Sequence, residues 1–272
     1  MSIFDFFKPK KPKKIGLALG SGGAKGMVHL GALKAFEENG IEFDVVAGTS
    51  IGSVIGAFYS AGYTSDEIMR LLGTIDFKEI TTMFMVKMDT TNLEKVINKY
   101  IGDLNIEELK KPFIAVATDM QTGKEVDMES GSVAKALCAS SSYPPFFKPV
   151  NVDGVMLIDG AFANAIPADQ AKKLGADYVV GIDLSAVKKE DKPSLFSELF
   201  PNNRFNNENP SKQGYENSNV MLMPNLSEYK PTSIGKLDEM YEIGYQCAME
   251  NMQKIKSDIA LIKKGKKLKD GK

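Results

Sequence analysis

Hydrophobic positions along the chain fall into two alternating patterns. Short, nearly uninterrupted apolar runs at 15–19, 45–48, 113–118 and 178–184 read as strands buried on both faces. Between them apolar residues recur at helical spacing. Over 27–38 these are Val28, Leu30, Leu33, Ala35 and Phe36, with Asn39-Gly40 as the stop. The same pattern predicts helices over 52–61, 65–72, 93–100, 132–139, 168–174 and 234 to about 264. Ser65-Asp66-Glu67 supplies a cap and an acidic first turn to the second of these, and Pro167 precedes the fifth. A further strand over 124–128 follows the Gln121-Thr122-Gly123 turn, and 150–158 reads as a hairpin about Asp153-Gly154. Residues 74–92, rich in Met and Thr, fit neither pattern. Strands separated by helices predict an α/β sandwich with a mainly parallel sheet.

The sharpest feature is 43–62, FDVVAGTSIGSVIGAFYSAG. A buried strand arrives, Gly48-Thr49-Ser50-Ile51-Gly52 turns the chain, and a tightly packed helix of small and apolar residues leaves. G-x-S-x-G between a strand and a helix is the pattern of a nucleophile elbow. Such a turn raises a serine hydroxyl on strained backbone, and small flanking residues let turn and helix pack closely. The following helix aims its N-terminal amides at the place where negative charge would develop.

Gly20-Ser21-Gly22-Gly23-Ala24-Lys25-Gly26 joins the first strand to its helix. As a dinucleotide fingerprint it is poor, because the third glycine falls one place late at Gly26 and Asp44 starts the next strand rather than ending it. A phosphate loop is excluded, since no Gly-Lys-Ser/Thr follows. An oxyanion loop fits: consecutive glycines free the Gly22 and Gly23 amides to point inward, and a helix N-terminus follows at once. A serine nucleophile also needs a proton acceptor. Asp159, between Ile158 and Gly160 at a strand-to-loop junction, is the best candidate, with Asp119 and Asp183 as rival strand-end carboxylates. The single histidine, His29, precedes the serine, so the serine–acid–histidine order of an α/β-hydrolase triad is impossible. His29 reads as structural, and a Ser–Asp dyad is the alternative.

In this order, the motifs resemble the patatin-like phospholipase family, in its compact bacterial form, over about residues 15–185. The resemblance rests on the glycine loop ending in Lys25-Gly26, on Gly48 to Gly52, on Ala139-Ser140-Ser141 leading into prolines, and on Asp159-Gly160-Ala161. It implies a three-layer α/β/α fold and a Ser–Asp dyad without histidine. Ser50 would be the nucleophile and Asp159 the base, with Gly22, Gly23 and the Ile51 amide as oxyanion donors. Gly20, Lys25, Gly26, Gly48, Gly52 and Gly160 would support loop and elbow. Ser21 and Ala161 stand where the family commonly has glycine, and both are small. The implied reaction is hydrolysis of an acyl ester of a phospholipid or related lipid through an acyl-enzyme, with no metal or organic cofactor. The same residues would serve a thioesterase or an acyltransferase. A catalytically silent, membrane-associated regulatory module is the alternative of a different class.

Composition narrows the setting. The chain of 272 residues is 43% hydrophobic and 25% charged, a balance that sustains a large core. No apolar run is long enough to span a membrane, and MSIFDFFKPKKPKK lacks the apolar core of a secretory signal, so a cytoplasmic setting is expected. Cys138 and Cys247 read as free thiols, and no Cys/His cluster has zinc spacing. The net charge of −1 hides an asymmetry, because both ends are lysine-rich and the body between them is acidic. Phe4, Phe6 and Phe7 beside the first lysines predict either a solvated tail or a peripheral contact with anionic lipid. Nucleic acid is disfavoured by the acidic body. The domain reading is a basic, aromatic tail at 1–14, one catalytic domain over 15–264 and a basic tail at 265–272. Within the domain, the Asn-, Pro- and Lys-rich stretch at about 185–231, with Leu195, Phe196, Leu199 and Phe200, reads as an insertion or cover. Nothing in the pattern bears on oligomeric state.

Overall fold

The computed structural model describes residues 13–73, 91–185 and 209–268. Its centre is an 8-stranded sheet. The strands are β1 (Ile15–Leu19), β2 (Val45–Thr49), β3 (Phe113–Asp119), β4 (Glu125–Met128), β5 (Val150–Val152), β6 (Val155–Asp159), β7 (Tyr178–Ile182) and β8 (Val220–Leu222). The helices are α1 (Met27–Glu38), α2 (Ile51–Ala61), α3 (Ser65–Gly73), α4 (Thr91–Ile101), α5 (Val133–Ser140), α6 (Ala168–Lys173), α7 (Lys212–Asn217) and α8 (Leu237–Lys263).

Strands β8, β7, β1, β2 and β3 run parallel, as βα units require when each helix returns the chain across a sheet face. Strands β4, β5 and β6 are antiparallel additions at one margin. Alternate strand residues serve opposite layers. Leu17, Leu19, Val46, Val180 and Ile182 belong to the main core with α1, α2, α5 and α8. Ala18, Ala47 and Val179 face the other way and meet Ala168 and Ala171 of α6. That second face is built from small residues, and a side chain on Gly16 would crowd Ala176 and Ala171, so α6 lies close on the sheet. Three layers result.

The predicted elements that fall on described residues all form. The stretch at about 185–231, read as an insertion or cover, contributes elements that periodicity did not predict. Its described part, from 209 on, folds into α7 and β8, and β8 extends the sheet by pairing Val220 with Val180 and Leu222 with Ile182. A strand of 3 residues in polar surroundings is too short for periodicity to reveal. It forms because β7 offers an open edge. Leu195, Phe196, Leu199 and Phe200 lie outside the described residues, as do Phe4, Phe6, Phe7 and the stretch 74–90.

The two ends of the sheet differ in character. The loops that follow β1 and β2 open at one pole. At the other, Lys13 pairs with Asp177 at 2.6 Å, Lys256 meets Asn39 just beyond α1, and Tyr178 meets Asp258 of α8. The lysine-rich ends of the described chain therefore leave from the pole opposite the β1 and β2 loops.

Helix α8, 27 residues long, packs on α1 through glycines. A Cβ on Gly31 would overlap the Tyr241 carbonyl oxygen, and one on Gly244 would overlap the Val28 carbonyl oxygen. Backbone thus touches backbone at this crossing, and neither helix can yield locally. Gly31→Ala and Gly244→Ala are expected to destabilise the protein by about 1–3 kcal/mol through overpacking, outweighing the gain of about 1 kcal/mol that alanine brings to a helix interior. A urea midpoint at or above the wild-type value in either variant would contradict this crossing.

Candidate active site

The register on β3 brings two strand ends together. β2 runs parallel to β3 and pairs its last residue, Thr49, with Val116. β6 runs antiparallel and pairs its last residue, Asp159, with Ala117. β4 occupies the opposite edge, with Asp127 against Val116 and Val126 against Ala117. β2 and β6 therefore share one edge of β3 and point at each other end to end. Ser50 leaves the tip of one strand, and Asp159 is the tip of the other.

Ser50 Oγ donates to Asp159 Oδ2 at 2.6 Å. Asp159 is 1% exposed, and its Oδ1 accepts from the Ala161 amide at 2.9 Å within the tight turn Gly160–Phe162. Ser50 has φ 57 and ψ −126, a backbone region that residues with side chains rarely occupy. Its neighbours hold it there. Ser140 Oγ accepts from the Ser50 amide at 2.9 Å, and Ser53 Oγ donates to the Ser50 carbonyl at 2.6 Å. Thr49 Oγ1 donates to the Asn164 carbonyl at 2.8 Å, which ties the elbow to the loop behind Asp159. A Cβ on Gly48 would overlap Gly52, one on Gly52 would overlap the Leu19 carbonyl, and one on Gly160 would overlap the Val116 carbonyl. The absence of these side chains permits the approach of strand, turn and loop.

The glycine loop lies against the elbow, with Gly26 seated on the Ile51 side chain. The Gly20 amide donates to Ile182, the Ser21 amide to Ala165, the Ala24 amide to Pro231 and the Lys25 amide to Gly22. Among the described residues the Gly22 and Gly23 amides meet no protein acceptor. Gly23 has φ 59, the left-handed region that glycine reaches without strain. Ile51 opens α2, so its amide is one of the helix-start donors without an intrahelical partner. Lys25 Nζ donates to the Leu184 carbonyl at 2.5 Å, and burial pushes its pKa down against the pull of Asp183. His29 Nε2 stands 2.8 Å from the Gly20 carbonyl, which can only accept, so that nitrogen carries the proton. Burial holds the fully enclosed His29 down at about 4, although the Gly20 bond and Asp183 oppose the shift.

Only one of the three candidate carboxylates meets Ser50. Asp119 lies at the surface, where Thr122 and Gln121 of its own turn hold its carboxyl below the usual range. Asp183 accepts from Ser185 and from the Tyr215 hydroxyl. Asp44, weighed as a ribose ligand, accepts from the Ile15 amide instead. Burial pushes Asp159 up to about 7, against the bonds from Ser50 and Ala161 that favour its charged form. Sequence reasoning assigned no separate role to Ser140, Ser53, Thr49 or Asn164. The visible signal was the run Ser140-Ser141-Ser142, hydroxyls placed where a small-residue helix ends. Among the described residues, neither Cys138 nor Cys247 is in a disulfide, and no group of 3 or more His, Cys, Asp or Glu is placed to hold a metal. No described helix is long and apolar enough to cross a membrane.

Known proteins share both pattern and architecture. Lysophospholipase nte1 of Aspergillus fumigatus is 27% identical over 289 residues, a match covering 92% of this chain and 19% of that protein. Neuropathy target esterase sws of Drosophila melanogaster is 28% identical over 276 residues, covering 85% of this chain and 19% of that protein. The chain thus spans about a fifth of the length of these curated relatives. VipD from Legionella pneumophila has a similar fold, with a TM-score of 0.57 at 15% identity, over 89% of this chain and 67% of that one. The family model for patatin-like phospholipase matches residues 17–172, from β1 through α6 and so across the glycine loop, the elbow and the Asp159 turn. Because that match takes in more than half of the 272 residues, the chain belongs to the patatin-like phospholipase family.

Proposed function

We propose that this protein hydrolyses acyl esters of lipids, with Ser50 as nucleophile and Asp159 as general base in one catalytic domain over 15–264. The observation that carries the reading is the buried 2.6 Å bond from Ser50 Oγ to Asp159 Oδ2 at the meeting point of two strand tips. Asp159 takes the Ser50 proton as Oγ attacks the acyl carbonyl carbon. The amides of Gly22, Gly23 and Ile51 receive the developing oxyanion, and as part of a fixed loop and a helix start they need no reorganisation to do so. When the tetrahedral intermediate collapses, the bond to the alcohol breaks and Asp159 returns the proton to that alcohol. Water then attacks the acyl-enzyme, giving a proton to Asp159, and Ser50 regains one as the fatty acid leaves. The printed names of the relatives, lysophospholipase and neuropathy target esterase, support a lipid ester as the substrate class.

The test is fatty-acid release from a panel of lysophospholipid, diacyl phospholipid and acyl thioester. Ser50→Ala and Asp159→Asn should each lower turnover by on the order of a thousandfold or more, the scale seen when a member of a catalytic triad is removed, with the fold unchanged. Substantial turnover by folded Asp159→Asn would move the base elsewhere.

The pH profile gives a separate check. A protonated Asp159 cannot accept the Ser50 proton, so kcat/KM on a neutral soluble ester should fall as pH drops through about 7. Were His29 the base, the fall would come near 4 instead. His29→Asn should leave the limb near 7 in place and retain most of the activity.

Peripheral contact with anionic lipid through the lysine-rich ends is also part of the proposal. Because those ends leave from the pole away from Ser50, such contact would tether the protein rather than seat the site on the bilayer. Replacing Lys263, Lys264, Lys266 and Lys267 by Glu should weaken salt-sensitive co-sedimentation with anionic vesicles and spare hydrolysis of a soluble ester. Undiminished sedimentation would remove the C-terminal end from the tether.

A further inference from the structure

The end-to-end meeting of β2 and β6 interrupts the ladder along one edge of β3, and two backbone groups at the break need partners. One is the Ser50 amide, turned away from β2 by the elbow. The other is the Val116 carbonyl, at the last β2 pair on β3. Both find the same atom. Ser140 Oγ accepts from the Ser50 amide at 2.9 Å and donates to the Val116 carbonyl at 2.6 Å. A hydroxyl suits this gap, having one proton for an acceptor and lone pairs for a donor. Val116 can only accept, so it takes the Ser140 proton, and the Oγ lone pairs are left for the Ser50 N–H. Both bonds lie in the interior, and Ser140 is 0% exposed.

The same segment holds the other partner. The Asp159 amide donates to the Ser142 carbonyl at 3.1 Å, and Ser142 Oγ donates to the Cys138 carbonyl at 2.7 Å, anchoring the run to α5. The last residue of α5 and the residues just past it thus grip the backbones of Ser50 and Asp159 together. The Ser50 amide is consumed by this grip and is not free to meet an oxyanion, which leaves that task to the loop amides and Ile51.

We infer that Ser140 is a positioning residue for the reaction. Its hydroxyl locks the Ser50 backbone at φ 57 and ψ −126 so that Oγ stays on Asp159, and the inference rests on the Ser50–Asp159 reading above. A side chain that merely filled space would be replaceable by any group of its size. One that positions a nucleophile must keep its hydrogen bonds, because a misplacement of about 1 Å costs on the order of 100-fold in rate.

Ser140→Cys, Ser140→Ala and Ser140→Thr separate the two. Cysteine keeps the volume with a weak donor and acceptor, alanine removes both bonds, and threonine keeps the hydroxyl. The readouts are kcat and KM on a soluble ester, the rate at which a fluorophosphonate labels Ser50, and the midpoint of the acidic limb. All are referred to the folded fraction given by near-UV circular dichroism. The expected result is a loss of about 10–100-fold in kcat and in labelling rate for Cys and Ala, with KM and the pH midpoint near wild type and Thr well above Cys. Wild-type rates in folded Ser140→Cys would overturn the inference, as would a loss that disappears once rates are referred to folded protein. Absence of labelling at Ser50 in the wild-type protein would instead overturn the dyad reading, and the inference with it.

Discussion

The meeting of β2 and β6 on one edge of β3 is the constraint on which the rest of the structure depends. A parallel strand and an antiparallel strand cannot both continue along that edge, so each must end where the other begins, between Val116 and Ala117. The chain has to turn sharply at both tips, and the glycines at 48, 52 and 160 stand where no side chain would fit between the turns and the neighbouring backbone. Ser50 and Asp159 are in contact because they are the residues at those tips. Their proximity is a property of the sheet rather than of either loop.

Burial has electrostatic consequences of opposite sign for Asp159 at this junction and for His29 on α1 behind the glycine loop. Asp159 is pushed from 3.8 up to about 7, so the stability linked to its folded-state protonation is complete below 3.8 and is lost as pH rises through about 7. His29 is pushed from 6.5 down to about 4, so its contribution is complete above 6.5 and is lost as pH falls through about 4. The usual association of an acidic limb near 6.5 with histidine is thereby reversed. The carboxylate, buried in the interior, is pushed into the range commonly given to imidazole, while the imidazole, bound through Nε2 to the Gly20 carbonyl, is held neutral by burial.

The late segment of the chain takes part in this arrangement. After β8 the chain returns to place the Pro231 carbonyl on the Ala24 amide, and a side chain on Gly23 would strike the same carbonyl. The end of the stretch that composition marks as an insertion or cover backs the glycine loop from one side, while Leu184 and Lys25 secure it from the other. From there α8 crosses α1 at Gly31 and Gly244 and ends at the far pole, separating the lysine-rich end from the loops around Ser50.

What the sequence by itself determined is what short-range sterics and periodicity dictate. The apolar runs and the 3.6-residue spacing mark most strands and helices, because burial on two faces or on one stripe imposes those patterns locally. The elbow and the glycine loop were legible for a related reason: positions such as Gly23 and Gly48 tolerate no side chain, and that demand is written in the residue type. The choice among Asp119, Asp159 and Asp183 was different. Each ends a run of apolar residues; the strand-to-loop junction and the Asp159-Gly160-Ala161 motif favoured Asp159, and the long-range register on β3 is what sets it against Ser50. Strand β8, the hydroxyl bridge of Ser140, the reversed titration of Asp159 and His29, and the pole from which the basic ends leave were likewise decided only by tertiary structure. Each depends on an open sheet edge, a shared gap or an enclosure formed by residues far apart in the chain, and no local pattern carries that information.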